Sequence, residues 1–507
     1  MAKKKEGREA GKKQDVAGEC DLDGGYVSPI KTFRDLSIEN IKSLISASRY
    51  FQTLIVLTII GFFLRFYNLG YNSLWLDEAT TYSTSVKSIV EIWQVSPGEF
   101  SPPLFFWVEH IMLMVGNNEF ILRFIPALLG VLTIPLFYVI GKEFLDRNTG
   151  IIAAAVCAIS PFLIYYSQEA RAYSMMLFFV ALATIFFLKA MKSGSFTPWA
   201  LFGVFSALAF WSHFYAIVMI AALILFALIE LAPRIRTELN NLKMLILGVV
   251  IFAVMCFPLI LVTLQLLIAR TASAPTYGIQ GLEIIWETFS QISGFNDIVT
   301  FVLVALFVVG IIQAFRIDKN KGIFLVLLTI LTFVVSYILS FKMPLVPRYL
   351  IFLSIVFSIG IAVSYRAVYS LWNTKAVVYG FIVVLFLISS PVLAGYYSGY
   401  SKDDWRGFSE ALQQKTVPGD VVVSVPGYND QPLDYYYSSA KGNTQEYGAT
   451  TSQDLEKIYA QKGNRTIYFV VTGDIRAADP DGDALAWLQN NTRLAGQDTG
   501  IYLFTSS

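Results

Sequence analysis

The sequence predicts a polytopic α-helical membrane protein with about eleven spans and a small C-terminal α/β domain. Three observations predict it. Of 507 residues, 55% are hydrophobic and only 15% are charged, with a mean hydropathy of +0.57; a soluble chain of this length carries far more polar surface. Apolar runs of about 18 residues or more recur along the first four-fifths of the chain, each long enough to cross ~30 Å of hydrocarbon as a helix. After residue 395 the pattern changes to short β-branched runs bounded by Gly, Pro and Asp,.

The elements follow in order. Residues 1–50, opening MAKKKEGREAGKKQDVAGECDLDGG, are polar and basic and lack the apolar stretch of a cleavable leader,. They read as a largely disordered cytoplasmic tail. The first span is expected at 51–68, and the Lys and Arg ahead of it keep that side cytoplasmic. YNSLWLDEATTYS (71–83) then emerges on the outer face. Further spans are expected near 122–141, 151–167, 174–190, 198–212, 214–232, 243–263, 298–315, 322–340, 349–365 and 376–394. Alternation puts GKEFLDRNTG, KAMKSGSFTP, PRIRTELNNLK, FRIDKNKG and SYRAVYSLWNTK inside, and each carries at least two Lys or Arg,. PPLFFWVEHIMLMVG (102–116) is apolar but too short to cross, so 102–120 is expected as an amphipathic helix at the outer surface of a first outer loop, 69–121. The transmembrane domain is thus 51–394.

Residues 395–507 form the second domain, expected outside the membrane. VPGDVVVSVPGYNDQP, NRTIYFVVTGD and GIYLFTSS read as strands; DWRGFSEALQQK, TSQDLEKIYAQK and DALAWLQNN read as helices between them. That alternation predicts a mostly parallel sheet.

Composition also excludes. A net charge of +1 gives no basis for nucleic-acid binding,. Three cysteines without a C-x-x-C pair and only two histidines, His110 and His213, support neither a disulfide framework nor a zinc site,. There is no Gly-rich phosphate loop and no internal repeat of the transporter kind.

What remains are polar residues gathered at the outer ends of spans: Asp77 and Glu78 after span one, Glu169, Arg171 and Tyr173 in YYSQEARAY, His213 in WSHFY, Lys342 and Arg348 in FKMPLVPRYLIF, and the segment KDDWRG at 402–407. Acids at membrane level are costly to keep and point to function. Each has a structural alternative: Asp77 as a helix cap, Glu169 and Arg171 as a mutual pair, Arg348 as an interfacial anchor, His213 as a satisfied interfacial side chain. Together they suit a charged lipid headgroup. An arginine fork matches a phosphate, and a carboxylate can accept the proton of an attacking hydroxyl.

At these residues the chain resembles a known family. LWLDEATTY, SPPLFFW, RFIPALLGVLTIPLFYVIGKEF and SPFLIYYSQEARAY are similar to motifs of the GT-C membrane glycosyltransferases, nearest to protein mannosyltransferase-like family 39 and the aminoarabinose transferases. VPRYLIF and DDWRGFSEAL…PGDVVVSVPGY match an uncharacterised prokaryotic branch, so the resemblance covers roughly 50–475. It implies a polyprenyl-phosphate-sugar donor, an inverting displacement and an active site on the outer face of the plasma membrane. It implies Asp77 as catalytic base, Glu78 as a second acid that supports the base or binds a sugar hydroxyl, and Glu169 as a third acid that contacts the acceptor or tunes Asp77. Arg171 and Arg348 become donor-phosphate ligands, with Arg348 favoured; His213, Tyr173 and Lys342 complete the substrate-binding set. The SPPLFFW helix would shape a groove for the lipid.

The chain departs from some relatives: it has neither a β-trefoil MIR domain nor a W-W-D-Y-G signature, so transfer of one sugar, with mannose a candidate, is expected over transfer of a whole glycan. The acceptor would be a lipid-linked glycan or a protein. No cofactor is expected; some members bind a divalent metal, for which only acids and His213 could serve here. The alternatives are a transporter or flippase for a polyprenyl-linked glycolipid, with Asp77 and Glu169 in proton coupling, and a non-catalytic lipid-binding assembly subunit. A transporter would hold its acids near the midplane on broken helices. Trp75 and Tyr82 are expected to anchor the first loop at the interface, and the aromatic GYNDQPLDYYYSS to be either a sugar-stacking surface or ordinary packing.

Overall fold

The computed structural model describes residues 38–506 apart from 99–100, 272–274, 276, 373, 400–401 and 438–443. The basic tail lies outside the described residues except for its last part, where the helix Ile38–Ala47 precedes the first span.

Eight stretches are long and apolar enough to cross a membrane, or nine when the bent pair Arg147–Ile159 and Pro161–Ser167 counts as one. One of the eight, Ala216–Ile268, runs for 53 residues, more than twice the ~20 that one crossing needs. It is two crossings. Trp199 Nε1 donates to Asn241 Oδ1 at 2.7 Å near one end, and Trp211 Nε1 to the Met255 carbonyl at 3.1 Å near the other. The second half therefore runs parallel to the helix Phe196–Ser212. The first half ends instead where Glu230 accepts from Asn320, at 2.6 Å, beside the start of the helix Lys319–Ser340. Split there, and with the shorter apolar helix Phe196–Ser212 added, the described residues supply the eleven crossings expected.

The bend after Ile159 has an identifiable cause. Pro161 has no amide hydrogen, so the Cys157 carbonyl loses its intrahelical donor. Arg65 takes that place: Nη2 reaches Cys157 O at 2.9 Å and Nη1 reaches Ala158 O at 3.1 Å. The two helices meet at 57°. Gly130 lets the helix Glu119–Phe144 approach this corner, since a Cβ there would lie 2.1 Å from Ser167 Oγ,. The corner directs residues 168–172 back over the protein.

The segment 102–116 does not cross. It forms a nine-residue helix, Leu104–Met112, with Phe105, Phe106 and Glu109 buried. The first loop also holds the helices Leu76–Ser85 and Ile89–Val95, the latter closed by a Ser88–Glu91 capping box,.

The C-terminal unit has five strands: β1 (Val421–Val425), β2 (Gln445–Gly448), β3 (Ile467–Thr472), β4 (Arg493–Asp498) and β5 (Ile501–Thr505), in the order β2-β1-β3-β5-β4. The expected mostly parallel sheet is corrected to a mixed one. β1 is parallel to β2 and β3, whereas β5 is antiparallel to β3 and β4. The short β4–β5 connection forces the antiparallel half. β1 lies between β2 and β3, and its residues alternate between two cores: Val421, Val423 and Val425 join Leu455 and Leu488, while Val422 joins Trp405, Phe408 and Leu433,. The second core belongs to the helices Trp405–Lys415 and Asp430–Tyr437, which sit against the first loop of the membrane unit.

Candidate active site

Asp77 and Glu78 lie in the first turn of the helix Leu76–Ser85, where free N–H groups and the helix dipole favour negative charge,. Trp75, not an acid, is the N-cap residue, and Asp77 is not spent on capping. Successive helical residues point about 100° apart, so the two acids meet different surroundings.

Glu78 points inward and is fully buried. Arg123 holds it from two sides, Nε to Oε1 and Nη2 to Oε2, both at 2.7 Å. The Ala170 N–H adds a bond at 2.8 Å and Lys402 Nζ one at 3.1 Å. The remaining donors of Arg123 go to the carbonyls of Leu69, Asn72 and Ser73, so all five guanidinium hydrogens are used. Burial pushes the Glu78 carboxyl up, but Arg123 and Lys402 outweigh it and hold it at about 2. A carboxylate saturated in this way positions its neighbours; it has no lone pair left over for a sugar hydroxyl.

Asp77 faces outward, 24% exposed, and meets two arginines from distant parts of the chain. Arg348 Nη2 lies 3.2 Å from Oδ2, and Arg171 Nε 3.9 Å from the same oxygen. Arg171 also donates to the Asp77 carbonyl at 3.2 Å; the mutual pair of Glu169 and Arg171 allowed by sequence is not formed. Arg348 comes from a short 3₁₀ turn, Pro347–Leu350, ahead of the helix Leu353–Trp372. Its guanidinium carbon lies 5.4 Å from the Trp75 ring, 5.9 Å from Tyr349 and 6.0 Å from Tyr173. Those three faces confine the cation while leaving it beside an open side of Asp77.

Glu169 arrives on the segment beyond the bend. Gln168 pins it, donating to the carbonyls of Arg65 and Tyr67 at 3.0 and 2.8 Å and accepting from Tyr396 at 2.6 Å. Glu169 is 1% exposed, and neither of its oxygens has a hydrogen-bond donor among the described residues. Lys402 Nζ stands 3.4 Å away. Burial pushes this carboxyl above the usual range; Lys402 opposes that, and Glu78 reinforces it.

His213 caps the helix Phe196–Ser212 and is buried. Its Nδ1 accepts the Tyr215 N–H at 3.3 Å, which leaves the proton of the neutral ring on Nε2,. Burial, Arg171 and Arg348 together lower its pKa to about 3, so the ring is neutral at physiological pH and acts as an aromatic wall against Tyr349 and Tyr173, 5.1 and 5.7 Å away. A shallow concave opening lies between Ser101, Phe105 and Phe106 of the first loop and Arg171, Tyr173 and His213. The SPPLFFW segment thus borders the site. Lys342 does not join it: this side chain is exposed, beyond the turn that leads to Arg348, and touches none of these groups among the described residues.

Two roles read from the sequence change. Trp75 does not face lipid; its ring lies against Arg348 and Lys402. Tyr82 meets Tyr435 edge to face, with ring centroids 4.8 Å apart. Tyr435 donates to the Asn117 carbonyl, while Tyr436 accepts the Leu74 N–H at 2.8 Å and donates to Glu119 at 2.6 Å. The tyrosine run of the C-terminal unit therefore packs against the first loop. Arg123 was not singled out from sequence, and Lys402 only as the first residue of KDDWRG, without a role of its own. A buried arginine at the start of an otherwise apolar span is a detectable signal; Lys402 offers none.

Among the described residues no three His, Cys, Asp or Glu side chains converge as metal ligands. Asp77 already faces two guanidinium groups and Glu169 an ammonium.

Comparison with known proteins bears out the resemblance. Residues 101–261 match the family model described as dolichyl-phosphate-mannose-protein mannosyltransferase. An uncharacterised protein of Aquifex aeolicus strain VF5 is 31% identical over 129 residues, 24% of this chain and 26% of that protein; the match thus spans about a quarter of the relative. The structure of ArnT from Cupriavidus metallidurans in the apo state aligns with TM-score 0.60 and 12% identity, over 90% of this chain and 98% of that one. Bound to undecaprenyl phosphate, the same protein aligns with TM-score 0.58 and 13% identity, over 92% and 98%. The Archaeoglobus fulgidus oligosaccharyltransferase tethered to an acceptor peptide gives TM-score 0.55 and 13% identity, over 92% and 75%. At such identities the likeness is one of fold: this chain is a multi-pass membrane protein of the GT-C type.

Proposed function

We propose that this GT-C-type chain is an inverting glycosyltransferase that moves a single sugar from a polyprenyl-phosphate-sugar donor to a lipid-linked glycan or protein acceptor. The observation that carries the reading is the meeting of Asp77 with Arg348 and Arg171, the last of which also lines the opening bordered by Tyr173 and His213. Support also comes from ArnT, solved bound to undecaprenyl phosphate, and from the archaeal oligosaccharyltransferase AglB, solved with a dolichol-phosphate.

The chemistry follows from the groups present. The donor phosphate binds Arg348 and Arg171 and draws them from the Asp77 carboxylate. Asp77 then accepts the proton of the acceptor hydroxyl as that oxygen attacks the anomeric carbon. The bond from the anomeric carbon to the phosphate oxygen breaks on the opposite face, its electron pair leaving with the phosphate, and the configuration inverts. Glu78, locked by Arg123, fixes the helix that carries the base. We read the reaction as metal-independent, because cations of the chain already face both Asp77 and Glu169. The site faces away from the cytoplasm in this reading, with the plasma membrane as its location. Mannose is the first sugar to test, since the matching family model is named for it.

The test is a vesicle assay with a panel of labelled polyprenyl-phosphate sugars, with and without chelator. Asp77→Asn should lower transfer by about 10²–10⁴-fold and the chelator should change it little. Wild-type transfer rates in Asp77→Asn would remove Asp77 as base, and loss of transfer with chelator would remove the metal-free step. A reporter fused after Ser507 tests orientation; a cytoplasmic signal would overturn it.

A further inference from the structure

We infer that the C-terminal unit completes the active site through Lys402, a positioning residue whose ammonium holds Glu169 in place as a carboxylate. The inference rests on the transferase reading for its functional meaning.

Lys402 is only 6% exposed, 3.1 Å from Glu78 Oε2 and 3.4 Å from Glu169 Oε1. The rings of Trp75 and Tyr165 flank its ammonium at 5.9 and 5.7 Å. Its two acid partners do not need it equally. Without Lys402, Glu78 would still have Arg123 on both oxygens and the Ala170 N–H. Glu169 would have no ion-pair partner and no hydrogen bond among the described residues. A buried carboxylate left so takes up a proton rather than stay charged, and as an acid it donates a hydrogen bond where the carboxylate only accepts.

The groups facing Glu169 come from several elements. Glu78 and Asp77 repel its charge, while Lys402 and Arg348 attract it. The phenols of Tyr165, Tyr166, Tyr173 and Tyr396 lie near enough to feel its charge. Lys402 is the cation in direct contact.

The placement of Lys402 follows from how the C-terminal unit grips the first loop. Asp404 caps the helix Trp405–Lys415 through the Gly407 N–H at 3.1 Å and also accepts from Ser73 Oγ at 2.9 Å. The Arg406 N–H returns a bond to Ser73 Oγ at 3.1 Å, and the Arg406 guanidinium reaches the Gly70 carbonyl and Glu119. These bonds hold residues 70–74, the turn that runs into Asp77 and Glu78. The segment 402–406 thus docks the unit and delivers an ammonium to the site in one motif.

The experiment compares Lys402→Met, Lys402→Arg and Arg406→Gln in the full chain, in vesicles, by pH–rate profile and by the carboxylic-acid infrared band assigned with Glu169→Gln. Lys402→Met should lower kcat about tenfold at neutral pH, change KM for the donor less than about threefold, and move the acidic limb and the onset of the infrared band to higher pH by about one unit. Lys402→Arg should keep both near their wild-type positions. Arg406→Gln loosens the docking without removing the ammonium, and should leave the limb and the band near their wild-type positions. An unshifted limb and band in Lys402→Met, or an equal shift in Arg406→Gln, would overturn it and make Lys402 a simple clamp. If Lys402→Met does not insert, Lys402→Gln is read in the same two ways. Absence of sugar transfer by the wild type would count against the transferase reading alone, because the infrared band still decides what Lys402 does to Glu169.

Discussion

Two polar clusters lie at opposite ends of the spans, and they treat their acids differently. On the side away from the sheet, Asp146 is a finished carboxylate. Its Oδ1 accepts the Thr149 N–H at 2.7 Å as a helix cap, and its Oδ2 takes Tyr365 at 3.0 Å and Arg366. Beside it, Asn148 accepts from Tyr50 at 2.7 Å. On the sheet side, Asp77 holds two arginines loosely through one oxygen, and Glu169 accepts no hydrogen bond among the described residues. Among the described residues Trp75 Nε1, Tyr173 Oη and Arg348 Nε are buried there without a hydrogen-bond partner, against Thr149 Oγ1 beside the first cluster. Buried polar atoms are almost always paired in a resting fold. The first cluster is built to hold helices together; the second has the unspent capacity of a site that takes a ligand.

The sharpest way to break this contrast is to substitute the two acids in parallel. Asp77→Asn should abolish most transfer, by the 10²–10⁴-fold expected for a general base, with little change in thermal stability. Arg348→Ala comes next, with a loss of about 10²–10³-fold in line with removal of a charge-stabilising donor. Arg348→Lys should recover only part, because an ammonium lacks the planar fork. A full recovery by lysine would mean that Arg348 supplies charge alone.

Much of this was legible beforehand. Span positions follow from apolar length and loop charge, and the site acids stand out because charge at membrane level is rare. Asp77, Glu78, Glu169, Arg171, Arg348, Tyr173 and His213 do come together. What stayed hidden depends on pairing across long separations. Lys402 lies 324 residues from Glu78, and nothing in KDDWRG distinguishes a buried lysine from a solvated one. Arg123 shows only as a charge at the start of an apolar span, and its partner Glu78 emerges once its five donors are traced. In the sheet, QEYG and RLAGQD escaped because edge strands exposed on both faces show no apolar alternation,.

Acid offers a third probe. Glu78 has its carboxyl held at about 2, below the ordinary value of 4.5. A depressed carboxylate contributes stability that is present above its unfolded pKa and lost as pH falls through its folded one. Glu78 should therefore support the fold at neutral pH and lose that support between pH 4.5 and about 2. Glu78→Gln should be less stable than wild type at pH 7, with the gap closing across that window. Chemical denaturation at stepped pH reads it; a constant gap would show that the Arg123 bond is not electrostatic in origin. Asp146→Ala should also cost stability, about 3 kcal/mol from a lost cap and an uncompensated arginine. Transfer per folded molecule should stay within about threefold, since this cluster makes no contact with the site. A larger loss would dissolve the distinction between the two ends.

The smallest effect is expected at Lys342. Its position in FKMPLVPRYLIF, six residues before Arg348, placed it in the expected substrate-binding set. Arg348 is turned inward by the 3₁₀ turn Pro347–Leu350 and confined by three aromatic rings. Lys342 precedes that turn, directly after the helix Lys319–Ser340, and is exposed. An exposed ammonium is strongly hydrated and contributes mainly through long-range attraction, which salt screens over about 8 Å. Lys342→Ala should thus leave kcat unchanged and raise KM for the anionic donor less than about twofold, an effect that fades at high salt. A tenfold or salt-insensitive rise would mean that Lys342 contacts the phosphate directly and that the site extends across the turn. Paired with Arg348→Ala, this substitution measures how sharply the boundary of the site falls between two basic residues of one loop.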